Sequence, residues 1–187
     1  MRWKLLAVPM MLLLLTSCGV EKNPVEDALS FRNAMLEHSG CTFTADVVTE
    51  VEDRGYTFQM DAVYEIGGRT KLTVTAPETL AGIRAEMTAG DTVLQFEDVA
   101  LDFGKLDDAM ETPLYAPWVL GAGWESAYVD CAGKEGELYH VTYRLGYEKE
   151  ELIVETWFQD GVPVLAEIYR EETLLLSAKI ESFTFLP

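Results

Sequence analysis

The chain has 187 residues, of which 32 are Asp or Glu and 14 are Lys or Arg, a formal net charge of −18 at pH 7. So acidic a surface repels nucleic-acid phosphate and anionic lipid headgroups within a Debye length of ~8 Å, which excludes nucleic acid as a partner. At 49% hydrophobic and 11% aromatic residues, the composition belongs to a folded body with a substantial core, not to a disordered chain.

Arg2 and Lys4 precede an apolar run from Leu5 to Leu15, broken only by Pro9. The run is too short to cross a ~30 Å hydrocarbon layer comfortably, so it reads as an export signal and not as a permanent membrane helix. It ends at Leu15-Thr16-Ser17-Cys18, an aliphatic residue, two small residues and a cysteine, which resembles a bacterial lipobox. A thiol is needed to carry diacylglycerol, and small neighbours fit the signal peptidase. The alternative is an ordinary secretory signal that happens to end beside a cysteine. Two acyl chains, at ~0.8 kcal/mol per buried CH₂, make a stable anchor where one does not. The expected organisation is a signal peptide over 1–17, the lipidated Cys18 and a short tether over 18–24, and a single domain over 25–187. The domain sits on the extracytoplasmic side of the cell membrane. Without Arg2 and Lys4 it is more acidic still, so the lipid and not the protein surface must hold it to the bilayer.

Asn23-Pro24-Val25-Glu26-Asp27 has the form of a helix start, with Asn23 as cap, Pro24 in the first turn and acids at the positive end of the dipole. Val25, Ala28, Phe31, Met35 and Leu36 give an apolar stripe through about Glu37, and Ser39-Gly40 ends it. From Cys41 the period changes from 3.6 to 2. Phe43, Ala45, Val47 and Val51 alternate with polar residues, and after Asp53-Arg54-Gly55 the alternation runs unbroken from Tyr56 to Ile66. Gly67-Gly68 signals a hairpin to a strand ending at Pro77. Ile83, Ala85 and Met87 form the next strand. Val93 to Phe103 is one bent or two short strands, since its alternation slips at Glu97-Asp98. Pro113, Pro117, Trp118 and Trp124 fall in a loop followed by a short apolar helix. Strands resume at Tyr128–Cys131, Leu138–Leu145, Leu152–Phe158, Val164–Tyr169 and Leu174–Phe185.

Consecutive strands at hairpin spacing predict a mainly β (α+β) fold, a large curved antiparallel sheet forming an unclosed β-barrel. A sheet that long curls, and its apolar face must be covered. The N-terminal helix and the short mid-chain helix are thin cover for it, which argues for a hydrophobic cavity. Its candidate lining is Phe58, Met60, Tyr64, Leu72, Val74, Ile83, Met87, Leu94 and Phe96, with Trp118 at the mouth. For Trp118 and Trp124, core packing is the equal alternative. Beyond Cys18, Cys41 and Cys131 form an even pair in an exported chain and permit one disulfide; two separate thiols are the alternative.

Strand, Pro-containing linker and Gly-led strand follow one another in Leu72-Thr73-Val74-Thr75-Ala76-Pro77-Glu78-Thr79-Leu80-Ala81-Gly82-Ile83. With the lipobox, the N-terminal helix, the meander and the mid-chain helix, this layout over about 25–185 resembles the LolA/LolB lipoprotein-carrier superfamily. It looks most like the small anchored relatives of Gram-positive bacteria, including the clostridial germination lipoprotein. The resemblance implies an unclosed barrel whose inner surface faces lipid, and a role in binding acylated or otherwise apolar cargo. It assigns no individual cargo-contacting residue.

No catalytic constellation stands out. His38 falls at a helix end and His140 in a strand, facing out beside Thr142, and no Gly-x-Ser-x-Gly segment supports a nucleophile. Asp107-Asp108 with Glu111, and Glu148-Glu150-Glu151, lack the spacing of a calcium loop. No enzyme activity, cofactor or metal is expected. The function expected first is an anchored protein binding an acyl chain, a lipid or the lipid end of a partner lipoprotein. The alternative is a filled β domain without ligand, acting as an envelope or spore-associated interaction or scaffold lipoprotein.

Overall fold

A computed structural model describes residues 23–51, 54–88, 91–96, 99–104, 113–126, 128–146 and 151–187. The expected export signal over 1–17, Cys18, Asp107, Asp108, Glu111, Glu148 and Glu150 lie outside them. Helix α1 (Pro24–Glu37) starts as expected: Asn23 Oδ1 accepts from Val25 N–H at 3.1 Å, and Glu26 and Asp27 occupy the first turn. Ala28, Phe31 and Met35 are buried along it. Val25 and Leu36, expected on the same stripe, are 39% and 38% exposed. At 100° per residue they lie roughly a quarter turn round the axis from the buried face. Gly40, at φ 134°, then turns the chain into the sheet, where a Cβ would come within 2.0 Å of Tyr64 O.

The strands are β1 (Gly40–Val51), β2 (Arg54–Glu65), β3 (Arg69–Ala76), β4 (Arg84–Thr88), β5 (Asp91–Phe96), β6 (Val99–Gly104), β7 (Cys131–Glu135), β8 (Leu138–Leu145), β9 (Leu152–Gln159), β10 (Val162–Arg170) and β11 (Thr173–Phe185). Among the described residues they form one eleven-stranded sheet in the order β6-β5-β4-β3-β2-β1-β11-β10-β9-β8-β7. Every pairing is antiparallel. The chain meanders from β1 out to one edge, re-enters at the other edge and meanders back until β11 pairs with β1. The edges β6 and β7 do not pair with each other, so the barrel is unclosed, as expected.

That topology dictates the mid-chain insertion. Leaving β6 and entering β7, the chain must pass from one edge to the other. It does so through a 3₁₀ turn (Pro113–Tyr115) and helix α2 (Ala116–Glu125), which crosses the inner face. Across the slip that the sequence shows at Glu97-Asp98, Phe96 of β5 lies opposite Val99 of β6. The strand expected at Tyr128–Cys131 begins later, at Cys131. In the lead-in Ser126 Oγ accepts from Tyr128 N–H at 3.1 Å, and Arg144 Nε lies 2.9 Å from Asp130. In β11, Leu176, Ala178 and Ile180 point inward on even numbers. The register then shifts beside Thr44/Ala45, so that Phe183 and Phe185 face in on odd numbers. Without that bulge Ser182 and Thr184 would be buried in their place.

α2 lies close to the sheet because it is small on its inner side. A Cβ on Gly121 would stand 2.0 Å from the Tyr64 ring, and one on Gly123 would stand 3.4 Å from Val154. Gly121→Ala is therefore expected to destabilise the domain by about 1–3 kcal/mol through overpacking, read as a lower urea midpoint. An unchanged midpoint would mean that α2 sits further from β2 than described.

Candidate functional site

The residues expected to line a cavity do share one face. Phe58, Met60, Tyr64, Leu72, Val74 and Met87 all lie on the helix-covered side and are 0–6% exposed. Ile83, in the linker before β4, is half-buried at the margin of the core, and Trp118 is half-buried beside Gly68. The side chains of Leu94 and Phe96 lie outside the described residues. What the face meets is protein. Trp124, from α2, is fully buried with Phe31 of α1, Phe43 of β1 and Phe183 of β11 around it, at ring-centroid distances of 6.2, 5.3 and 5.9 Å. Its Nε1 donates to the buried Thr156 Oγ1 at 3.1 Å. Phe31 in turn packs edge-on against Phe158 at 4.8 Å. These edge-to-face contacts suit the ring quadrupoles and add to the burial itself.

A polar clasp closes the end of α2. Tyr64 O–H donates to Glu125 Oε2 at 2.6 Å, and Gly67 N–H donates to the same oxygen at 3.2 Å. Arg32 Nε of α1 donates to the Glu125 carbonyl at 2.9 Å. Burial, aided by the Glu125 carboxylate, pushes the Tyr64 phenol well above its ordinary range. The clasp ties both helices to the β2–β3 turn with no partner from outside the chain.

Among the described residues a large open space lies elsewhere. A cavity of about 1000 Å³ lies between α1 and one end of the sheet. Asp27, Ser30, Phe31 and Ala34 form its α1 wall. Lys134, Glu137, Leu138 and Tyr139 of the β7–β8 hairpin stand opposite, with Asp160 of the β9–β10 turn and Phe185 of β11 at the end. Its floor is apolar and fixed: Tyr139 stacks on Phe158 at 4.8 Å with the rings 3° apart, and Phe185 lies 5.8 Å from Phe31. Burial, and next the Asp27 carboxylate, push the Tyr139 phenol up. None of these residues shares a motif or a period. Only the sheet register brings the two turns together beneath α1, so the sequence alone gives no sign of the groove.

His38 caps α1, stacks on Phe185 at 5.4 Å and lies with Nδ1 3.1 Å from Leu186 O. His140 stacks on Trp157 at 4.5 Å on the outer face, 3.5 Å from Glu155. Among the described residues no three His, Cys, Asp or Glu side chains gather as a metal site, and no helix is long and apolar enough to cross a membrane. Cys41 and Cys131 are both free, and the disulfide that sequence permits is not made. Cys41 is buried in β1 and Cys131 is exposed on edge strand β7, with β11, β10, β9 and β8 between them in the sheet.

No protein family and no curated protein matches the sequence. Among solved structures, the chain is similar to a DUF1329 family protein from Desulfovibrio piger, at 7% identity over 88% of this chain and 94% of that one, with a TM-score of 0.50. It is also similar to a LolA superfamily protein from Nitrosomonas europaea, at 10% identity over 86% and 94%, TM-score 0.49. A third likeness is to a chain in the structure of the CwlD amidase with the GerS lipoprotein from Clostridioides difficile, at 10% identity over 88% and 97%, TM-score 0.43. At such identities the likeness is one of fold alone.

Burial pushes the Cys41 thiol up to about 12. The thiolate is the reactive form, so at pH 8 the native chain should be alkylated by iodoacetamide at Cys131 and not at Cys41, with Cys41 labelled only after unfolding. Peptide mass mapping reads this directly. Native labelling of Cys41, or a Cys41–Cys131 peptide resistant to alkylation until reduced, would contradict the structure.

Proposed function

We propose that the chain is a lipid-anchored protein of the bacterial cell envelope whose LolA-like domain is a stationary docking partner for another protein, its inner face closed by its own side chains. The observation that carries this reading is Trp124, fully buried between α1, β1 and β11. In the same core Met35, Met60, Leu120 and Phe158 are each at 0% exposure. An acyl chain entering there would have to displace this buried aromatic cluster, and the helices that would move are clasped through Glu125. Of the two functions expected from sequence, the filled interaction domain is the one this packing supports.

The anchor belongs to the same reading. Cys18 at the lipobox would hold the domain within a few residues of the bilayer, since α1 begins at Pro24. The acidity of the chain, −18 overall, keeps the domain off anionic headgroups. A tethered body of this kind presents a fixed surface to partners that reach it and does not ferry a ligand between membranes.

Titration of the chain carrying Cys18→Ser with a fluorescent fatty acid tests the reading. The expected result is no saturable change in dye emission up to about 100 μM, well above the micromolar Kd at which a site worth roughly 8 kcal/mol fills. One-to-one saturation in the micromolar range would favour acyl binding and set this reading aside.

A further inference from the structure

We propose that the groove between α1 and the β7–β8 hairpin is the docking site, and that it takes a segment of a partner protein placing an arginine or lysine next to an apolar side chain. This rests on the docking reading above and names the surface and the chemistry of the partner.

At about 1000 Å³ the groove is at the upper end of what small-molecule sites enclose, enough for several residues of a peptide. Ser30 and Ala34 keep the α1 wall low in the middle, while carboxylates stand at its margins: Asp27 on α1, Glu137 on the hairpin and Asp160 on the β9–β10 turn. Lys134 is the one basic residue of the lining among the described residues. An anionic ligand is repelled by that rim, and an acyl chain would desolvate it without recompense. A guanidinium or ammonium is drawn to it. Between the carboxylates, Leu138 and Phe185 leave an apolar strip for a neighbouring side chain. The floor is built in advance of any partner, since Tyr139, Phe158, Phe31 and Phe185 hold one another in place. Little ordering is then left for the moment of binding.

Calorimetric titration of the full chain carrying Cys18→Ser tests this, using an amidated hexapeptide of alternating arginine and leucine and a counterpart with glutamate in place of arginine. The basic peptide should saturate one site, and binding should weaken as salt is raised. Each of Asp27→Asn, Glu137→Gln and Asp160→Asn should reduce its affinity about two- to five-fold, the range for partly exposed charge pairs. All three lie at the protein surface or half-buried, and an unchanged melting temperature confirms the fold. No saturation, equal binding of the acidic peptide, or affinity indifferent to all three substitutions overturns the proposal, as does a second copy of the chain filling the groove in sedimentation. The fatty-acid titration separates the two readings. A failure here with no fatty-acid binding refutes the groove and leaves the docking domain standing, whereas fatty-acid saturation removes the docking domain itself.

Discussion

Trp124 is the contact on which the rest of the molecule depends. It comes from the only crossover helix among the described residues and reaches α1 through Phe31, β1 through Phe43, β11 through Phe183 and β9 through Thr156. A curled sheet with two free edges has no closure of its own to fix its curvature. Here an indole in the middle of the inner face is touched by both halves of the meander and by both helices. Replacing so large a buried side chain by alanine removes about 3–5 kcal/mol in typical cores, which is a large part of the stability of any domain this size.

The indole can reach that position because its helix is thin underneath. Gly121 passes over the Tyr64 ring and Gly123 over Val154, and the Tyr64 hydroxyl then meets Glu125 at the helix end. Arg32 extends the clasp to α1. With the helices fixed, α1 is carried across the sheet end where the β7–β8 and β9–β10 turns project, and the groove is what remains between them. Closed interior and open flank thus have one cause. The aromatic residues that fill the first also make the floor of the second.

Much of the fold is legible in the residues because its signals are local. The Asn23-Pro24 cap, the alternation of β2 and the Gly67-Gly68 turn each depend on neighbours in sequence, and each is present in the structure. The errors come where tertiary packing overrides local pattern. Val25 and Leu36 are apolar yet exposed, because the sheet meets only the Ala28–Phe31–Met35 side of α1. β7 starts late, and the residues before it bond to Ser126 and Arg144, contacts no strand propensity contains. The inner-face residues were identifiable by period. Whether they line a cavity or a core was not, since that turns on how closely α2 approaches, and so on two glycines whose meaning appears only beside Tyr64 and Val154. The groove was not legible at all, because its walls come from segments more than a hundred residues apart between Asp27 and Glu137.

The central claim is that the inner face is filled by the chain itself. Native mass spectrometry of the protein, extracted from its cells in mild detergent, tests it. The expected spectrum is a single species at the mass of the chain with any covalent modification it carries, and no further lipid bound in stoichiometric amount. A stable second species heavier by one phospholipid or fatty acid, lost on Trp118 or Phe58 substitution but not on change of the groove carboxylates, would contradict it.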